Sequence, residues 1–482
     1  MTASPNQTAA ASKSPSWERL EQFLEARRAA HEPVTDFEAF ERELREMFAA
    51  AEAEAVGDEL SRFDVDLPAV QVDGVLHRRV LRCEQAYMTA AGSVTVTRSL
   101  YSTRQSGDRA VCPMELRAGV IEGLWTPRAA KQAAFVVTNL PPQEGENLFA
   151  EIGGMRPSKS SLDRLPKQLG ERWEEGRIQY EQALRGEEKV PPNAVSLAIS
   201  LDGVHVPMKD SPQEKEAKAK AKGEGQKNEG EEEENRTTYH EAGCASLAYY
   251  DADGERISTI RFGRMPEHKK VALKAMLAAE TASILAQKPN LRLVKVADGA
   301  NDNWAYLSDV DLPEGEQVLD FYHAAEHLGA ALLAAYGDGD KRDAQLKKLR
   351  HTLRHDRKGA DKIIRALIHL RDTHPHRKKL ATELAYFRKH RHRMHYARLK
   401  AMNLPIGSGV MEASCKTLVT QRMKCSGMVW GHDGVGGQAI LSLRGLVQSD
   451  RFDRAWKMLA KTYVHTVAVP DNVVALSQWR RR

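Results

Sequence analysis

Three acidic residues in this sequence stand at places where a fold could bring their side chains together. Asp202 follows the apolar run "AVSLAISL", Asp298 follows "LRLVKVA", and Glu412 lies in "GSGVMEASCK", where a helix is expected to begin after Pro405. Each position also has a simpler explanation, because Asp-Gly favours a turn and acidic residues are common in the first turn of a helix. The two explanations differ in whether the three carboxylates meet.

Carboxylates that converge on one point repel each other, and burying them without partners is costly. Divalent cations remove that cost, and Mg²⁺ prefers hard oxygen ligands such as carboxylates, water and phosphate. Two such ions roughly 4 Å apart can activate a water or a 3′-hydroxyl and stabilise the leaving oxygen of a phosphodiester. A shared site of Asp202, Asp298 and Glu412 would therefore predict two bound Mg²⁺ (or Mn²⁺) ions and phosphodiester chemistry.

The pattern of residues 191–323 predicts the elements that would position the aspartates. Its order is three strands, a helix, a strand, a helix or loop, and a strand, interrupted by a charged low-complexity tract at 209–237 that we expect to be disordered. The first three strands can pair as antiparallel neighbours, and the later crossovers require parallel pairing. We therefore expect an α/β protein with an RNase H-like core, in which Asp202 ends the first strand and Asp298 ends the adjacent fourth strand.

A family resemblance rests on the segments "LDGVHVP", "VADGANDNW", "DFYHAAEHL", "GSGVMEASCK" and "QRMKCSGMVW". Together they resemble the DDE transposases of bacterial insertion sequences, in the branch related to the plant Mutator elements. The resemblance implies that Asp202, Asp298 and Glu412 are the metal-binding triad. It also implies that Asp320 and His323, of the Asp-x-x-His segment, are auxiliary catalytic residues near the scissile phosphate. His323 fits an ordinary position at a helix N-terminus as well.

The resemblance spans residues 190–456 and implies a helical insertion at 324–404, before the last part of the core and C-terminal helices at 405–482. Residues 341–400 contain 20 Lys+Arg against 5 Asp+Glu, a net charge of 20 − 5 = +15, together with 8 histidines. Such a block can grip a DNA backbone through the release of counterions, whereas a solvated basic helix surface is the simpler alternative. We expect the histidines to be ordinary surface residues, since no pair of them has convincing metal-ligand company.

The region at 66–190 is expected to hold a small β element and a DNA-binding pair of helices. The alternating segment 70–101 predicts the strands, and "LFAEIGGMRPSKSSLDRLPK" predicts two helices broken at Gly153-Gly154, as in a helix-turn-helix. An ordinary helical hairpin fits nearly as well, and Pro166 is expected to limit the second helix. The residues that we expect to contact DNA lie on this second helix and in the closing segment: Lys159, Ser160, Ser161, Arg164, Arg422, Lys424 and Trp430. Trp430 also fits a core position.

The overall composition indicates in which cellular compartment the protein is expected. The 482 residues carry a formal net charge of +5 and no apolar run long enough to span a bilayer, and the N-terminal residues lack an apolar leader segment. Five scattered cysteines without a close pair indicate a reducing environment. We therefore expect a cytoplasmic, nucleoid-associated protein with no membrane partner.

These observations predict a DDE transposase that binds the terminal inverted repeats of its element, cleaves the DNA at each end and transfers the strand to target DNA. Residues 1–16 are expected to be disordered, and the helices of 17–65 are a candidate contact of a homodimer. Two alternatives stay open. One is a catalytically silent, repurposed transposase that acts as a DNA-binding regulatory protein, and the other is an RNase H-like nuclease that hydrolyses DNA without transposition.

Overall fold

The computed structural model divides into two units and describes residues 15–103, 108–216, 237–309 and 312–470. The first unit comprises Met1–Arg172 with Arg454–Arg482, and the second comprises Trp173–Asp453. Residues 1–14 of the tail and 217–236 of the charged tract lie outside the described residues. The prediction of disorder is wrong for the described ends of both segments, because a helix begins at Pro15, a strand continues to Lys209, residues 212–216 are helical and the next strand begins at Thr237. Within the described residues, no helix is long and apolar enough to cross a membrane.

Helices and a small sheet make up the first unit. Its elements are α1 (Pro15–Ala29), α2 (Phe37–Arg62), β1 (Ala69–Val72), β2 (Val75–Thr89), β3 (Gly92–Ser102), α3 (Pro113–Ala118), α4 (Pro127–Asn139), α5 (Pro142–Ile152) and α6 (Lys159–Glu175). The strands pair in the order β3-β2-β1, and Val467–Ala468 pairs with the free side of β1. The helices expected between residues 17 and 62 and the β element expected at 70–101 are confirmed.

Local sequence signals explain two boundaries in this unit. Asp36 caps α2, because its carboxylate accepts a hydrogen bond from the Ala39 amide at 2.9 Å. Asp73 and Gly74 connect β1 to β2 with φ of 47° and 83°, the left-handed conformations that a tight Asp-Gly hairpin turn requires. Short-range chemistry is therefore sufficient to place these two elements.

Two features of this unit differ from expectation. The prediction that Pro166 limits the second helix is wrong, because α6 continues to Glu175. A proline inside a helix removes one backbone hydrogen bond, but the fully buried Leu162, Leu165 and Leu169 hold this helix against the core on both sides of it. The chain from Arg454 onward also groups with the first unit, whereas we expected one segment at 405–482 to hold both the last part of the core and the C-terminal helices.

A mixed sheet forms the centre of the second unit. Its elements begin with α7 (Arg177–Glu187), β4 (Ser196–Lys209), β5 (Thr237–Tyr250), β6 (Arg256–Arg264), α8 (Val271–Gln287), β7 (Arg292–Ala297), α9 (Asn301–Leu307) and β8 (Glu316–Leu319). The strand order is β6-β5-β4-β7-β8. The pairs among β4, β5 and β6 are antiparallel, while β7 is parallel to β4 and β8 is parallel to β7. The expected α/β class and the expected pairing of neighbours are confirmed.

The strand that carries Asp202 is longer than expected. We predicted that Asp202 ends this strand, but β4 continues to Lys209. The reason lies in the pairing: β5 accompanies β4 along its whole length, with Asp202 opposite Cys244 and Lys209 opposite Thr237. The parallel ladder to β7 covers only Ser196 to Ile199, so Asp202 lies in the part of β4 that extends beyond β7.

Helices fill the position of the expected insertion at 324–404. They are α10 (Phe321–Tyr336), α11 (Asp340–His355), α12 (Gly359–Thr373), α13 (Lys378–His390) and α14 (Tyr396–Ala401), and we call them the helical lobe. Their apolar faces, with Leu332, Ile363 and Leu384 as examples, belong to the same hydrophobic core as the sheet. Most of the Lys and Arg side chains in the lobe are exposed. The lobe therefore presents its excess of positive charge to solvent.

The chain returns to the sheet through a helix that changes its winding. It begins with α15 (Gly409–Ser414), widens to a π-helical turn over Cys415–Thr420 and closes with Gln421–Met423. The start of this helix after "GSG" is as expected from the sequence. A final helix of this unit, α16 (Val435–Gln448), packs on β6. A π-helical turn within an α-helix frequently occurs at functional sites.

Candidate active site

Three aspartates fall in one row across neighbouring parallel strands. The β4–β7 register ends at Ile199 opposite Lys295 and, continued by three residues, places Asp202 opposite Asp298. The β7–β8 register ends at Ala297 opposite Leu319, so Asp298 is followed in the same row by Asp320. Asp298 and Asp320 directly follow the last residues of β7 and β8, so the row runs along the edge of the sheet where these strands end. The expected approach of Asp202 and Asp298 therefore has a structural basis, and Asp320 joins their row.

Asp202 is held in a half-buried position by neighbours on the strand and on the helix above it. Its Oδ1 accepts a hydrogen bond from the Gly203 amide at 2.7 Å, and its Oδ2 lies 3.9 Å from the Sγ of Cys415. Burial raises the pKa of Asp202, and the negative charge of Asp298 raises it further, against the lowering effect of the Gly203 amide. A nearby cation would offset both of the effects that raise this pKa.

Asp298 forms the turn that its Asp-Gly sequence predicts. Its Oδ1 accepts hydrogen bonds from the Ala300 amide at 3.0 Å and from Nδ2 of Asn303 at 3.2 Å. The indole of Trp304 donates to the Asp298 carbonyl oxygen. The turn explanation is therefore correct at this position, and the turn also fixes where the carboxylate lies. Both of the carboxylate's hydrogen bonds within the described residues end on Oδ1.

Asp320 caps α10 and is almost completely buried, with 1% of its surface exposed. Its Oδ1 accepts hydrogen bonds from the amides of Tyr322 and His323, and its Oδ2 accepts from both the amide and the hydroxyl of Ser408. The Ser408 carbonyl accepts in turn from the Glu412 amide at 2.9 Å. Asp320 thus joins the start of α10 to the start of α15.

His323 lies in the first turn of α10, with 38% of its side chain exposed and Nδ1 3.6 Å from a carboxylate oxygen of Glu326. Its ring contacts His327 edge-on, with 4.9 Å between centroids. The structure agrees with the ordinary helix N-terminal position for His323 and leaves the ring accessible from solvent.

Glu412 lies in the first turn of α15, as expected, and its side chain is exposed. Residues three apart share a helix face, so Glu412 borders Cys415, whose sulfur lies against Asp202. In the parts of the chain that the structure describes, however, no group of three His, Cys, Asp or Glu side chains is arranged to hold a metal ion. The structure brings Asp202 and Asp298 together and places Glu412 nearby, without forming a completed triad.

The residues expected to contact DNA divide into accessible and inaccessible ones. Lys159, Ser160 and Arg164 are exposed at the start of α6, and Ser161 is half-buried there. Lys424 is exposed, with its ammonium group 6.0 Å from the centroid of the Tyr239 ring.

The expected phosphate contact of Arg422 is not supported, because this side chain is only 2% exposed. The last helical turn, Gln421–Met423, directs it into the interior, where its charge contributes to lowering the pKa of Arg444, a shift caused mainly by burial. Trp430 agrees with the core alternative. Its backbone extends the edge of β4 by hydrogen bonds with Pro207 and Lys209, and its indole donates to the Met423 carbonyl oxygen at 2.9 Å.

Basic side chains of the helical lobe lie close to the aspartate row. The ammonium group of Lys389 contacts the side-chain oxygen of Asn301, three residues beyond Asp298. The guanidinium of Arg393 stacks on Trp304 at 3.9 Å from the ring centroid. Positive charge from the lobe therefore borders the turn that presents Asp298, an arrangement that favours a polyanionic ligand.

Sequence patterns did not identify several contributors to this site. Ser408 and Cys415 lie within the quoted "GSGVMEASCK" segment, and the offset of three residues between Glu412 and Cys415 is a helical signal that could have found the second. Tyr386 of α13, which packs on Gly299, comes from the lobe and has no local signal.

No protein-family model matches the chain, and a search of curated proteins gives no match either.

Proposed function

We propose that this protein is a DDE transposase with an RNase H-like core, which cleaves DNA at the ends of its element and transfers the strands to target DNA. The single observation that carries the proposal is the shared row of Asp202 on β4 and Asp298 directly after the adjacent parallel strand β7, beneath the helix of Glu412. Antiparallel pairing of the first three core strands, followed by parallel addition of the last two, supports the fold assignment.

The donor atoms at this site fit a hard divalent cation. Asp202 and Asp298 offer carboxylate oxygens, and the raised pKa of Asp202 reflects burial and a like charge that a cation would offset. Glu412 has an exposed side chain that forms no hydrogen bond or ion pair within the described residues and can turn toward the aspartates. Two Mg²⁺ or Mn²⁺ ions held by these residues would supply activation of the attacking oxygen and stabilisation of the leaving oxygen.

The other residues of the site act by position and charge. The hydrogen bonds between Asp320 and Ser408 fix the start of α15, which determines where the Glu412 side chain begins. Lys389 and the exposed basic residues of the lobe would hold the DNA backbone independently of its sequence. Lys159, Ser160 and Arg164 on α6 would contact the terminal repeats.

The same proposal includes the assembly and the compartment. Cutting two element ends and joining them to one target calls for two active sites, so the acting form would be a homodimer in the bacterial cytoplasm, associated with the nucleoid. The helices α1 and α2 are the proposed contact.

A cleavage assay on labelled duplexes tests the proposal. The duplexes carry the inverted repeats that flank the gene, and products are resolved with Mg²⁺ or Mn²⁺ present. Asp202→Asn, Asp298→Asn and Glu412→Gln are expected to abolish cleavage while DNA binding persists. Asp372→Asn, which alters an exposed carboxylate paired with its neighbour Arg371 in the lobe, is the matched control and should cleave normally.

Three other results would contradict parts of the proposal. DNA binding by the wild-type protein without cleavage in either metal would indicate the silent, regulatory alternative. Hydrolysis without strand transfer would indicate a nuclease. Normal cleavage by Asp298→Asn would remove the aspartate row from the mechanism.

A further inference from the structure

The hydroxyl of Tyr386 is buried beside the aspartate row. Tyr386 belongs to α13 of the helical lobe, and its Oη has no hydrogen-bond partner among the residues that the structure describes. Its ring packs directly on the backbone of Gly299, the residue after Asp298. A Cβ placed on Gly299 would lie 2.5 Å from Cε2 of Tyr386 and 2.8 Å from its Oη. The hydroxyl therefore reaches the turn that presents the Asp298 carboxylate.

A second pair of residues holds the Tyr386 ring in place. The imidazole of His327 stacks on it, with 3.7 Å between centroids and an angle of 16° between the planes. The Nδ1 of His327 lies 2.6 Å from a carboxylate oxygen of Glu383, a residue that is 1% exposed. A histidine bonded to a buried carboxylate has a fixed ring orientation. The stack therefore orients the Tyr386 ring over Gly299.

An unpaired hydroxyl in this position needs a reason. A buried polar group without a partner lowers stability, and phenylalanine would form the same stack without that cost. Burial and the negative charges of Asp298 and Asp320 raise the pKa of Tyr386 to well above neutral pH, so the hydroxyl keeps its proton. What is missing at Tyr386 is an acceptor.

We infer that the Tyr386 hydroxyl, once DNA binding uncovers it, donates a hydrogen bond to a phosphate oxygen of the DNA strand bound at Asp298. This inference rests on the proposed function and deepens it, because it adds a residue of the lobe to those that touch the DNA. The lobe would then contribute one fixed hydrogen bond at the site as well as a general positive charge.

Tyr386→Phe tests the inference, since it removes one oxygen atom and keeps the ring. Binding of the terminal-repeat duplex is measured by fluorescence anisotropy with Ca²⁺, and cleavage is measured with Mn²⁺. We expect the dissociation constant to rise about 10-fold or more, which is typical for the loss of a hydrogen bond to a charged acceptor. The melting temperature should equal or exceed that of the wild type. Tyr336→Phe, at the other end of α10 from Asp320, is the matched control and should change neither binding nor melting temperature.

The outcomes separate this inference from the proposed function. Wild-type binding and cleavage by Tyr386→Phe would overturn the inference while the transposase proposal stands. Weaker binding by Tyr386→Phe, in a protein that never cleaves, would support the contact and refute the catalytic proposal. A fall in melting temperature that accounts for the weaker binding would show a structural role and would also overturn the inference.

Discussion

Removal of the Asp320 carboxylate should both destabilise the protein and displace α15. Asp320 accepts hydrogen bonds from two amides at the start of α10 and from the amide and hydroxyl of Ser408, all at a site that is 1% exposed. Asp320→Ala leaves these four part-buried donors without their acceptor. The loss of the helix cap alone costs about 1 kcal/mol.

The Ser408 bonds add to that cost. A hydrogen bond to a charged acceptor contributes about 1.5–3 kcal/mol, and neighbouring contributions do not add fully. We therefore expect Asp320→Ala to lower the free energy of unfolding by about 3–5 kcal/mol. Asp320→Asn keeps one acceptor oxygen for the cap and should lose about 1–2 kcal/mol. Ser408→Ala removes only the hydroxyl and should lose a similar amount.

Urea unfolding followed by circular dichroism measures these differences, and a double-mutant cycle of Asp320→Asn with Ser408→Ala should give a coupling energy of about 1 kcal/mol. A loss of unfolding free energy below about 1 kcal/mol for Asp320→Ala would refute the view that the Asp320 hydrogen bonds join α10 to α15. Complete loss of DNA cleavage by Asp320→Asn, at nearly wild-type stability, would instead show that this carboxylate touches the DNA.

Three further predictions follow from the site. Burial and the charge of Asp298 raise the pKa of Asp202 above its ordinary 3.8, so the folded state loses stability as the pH rises from 3.8 through this raised pKa. In metal-free buffer, urea unfolding should therefore show Asp202→Asn to be more stable than the wild type at pH 7 and to lose this advantage at acidic pH. Gly299→Ala places a Cβ 2.5 Å from the Tyr386 ring and should cost about 1–3 kcal/mol in the same assay, and an unchanged stability would mean that the contact is absent. Lys424→Ala, at an exposed position, should weaken DNA binding and reduce its salt dependence by about one counterion without changing the free energy of unfolding. Arg422→Ala, at a buried position, should lower the free energy of unfolding by about 2 kcal/mol. The opposite pattern would contradict the difference in burial between the two side chains.

Sequence alone was sufficient for the order of the core strands. The apolar runs, the turn sequence Ala252-Asp253-Gly254 and the amphipathic helical pattern of 268–287 predict that three antiparallel strands precede two parallel ones, as the sheet shows. The aspartates at 202 and 298 were identifiable because each breaks an apolar run. Local periodicity and turn chemistry carry this information, so no long-range contact was needed.

Long-range packing decides what the sequence could not indicate. The end of β4 depends on the length of its partner β5, so Asp202 lies within the strand instead of at its end. Arg422 is buried because of the direction of a short helical turn, which composition does not report. Tyr386 reaches Gly299 from a helix 87 positions later in the chain, since 386 − 299 = 87. Only the folded chain brings such pairs together.

The hydrogen bonds between Asp320 and Ser408 have a consequence for how the helical lobe can vary in sequence and length. The two residues are 88 positions apart, and the helical lobe lies between them. Its two ends thus leave the sheet side by side, a geometry that allows one domain to be inserted in another without stretching either. A lobe of different length or charge could therefore replace this one while the aspartate row stays in place, and under the proposed function it would change how tightly DNA is held. If the proposed hydrogen bond of Tyr386 is needed, such a lobe would also have to place a hydroxyl at Gly299.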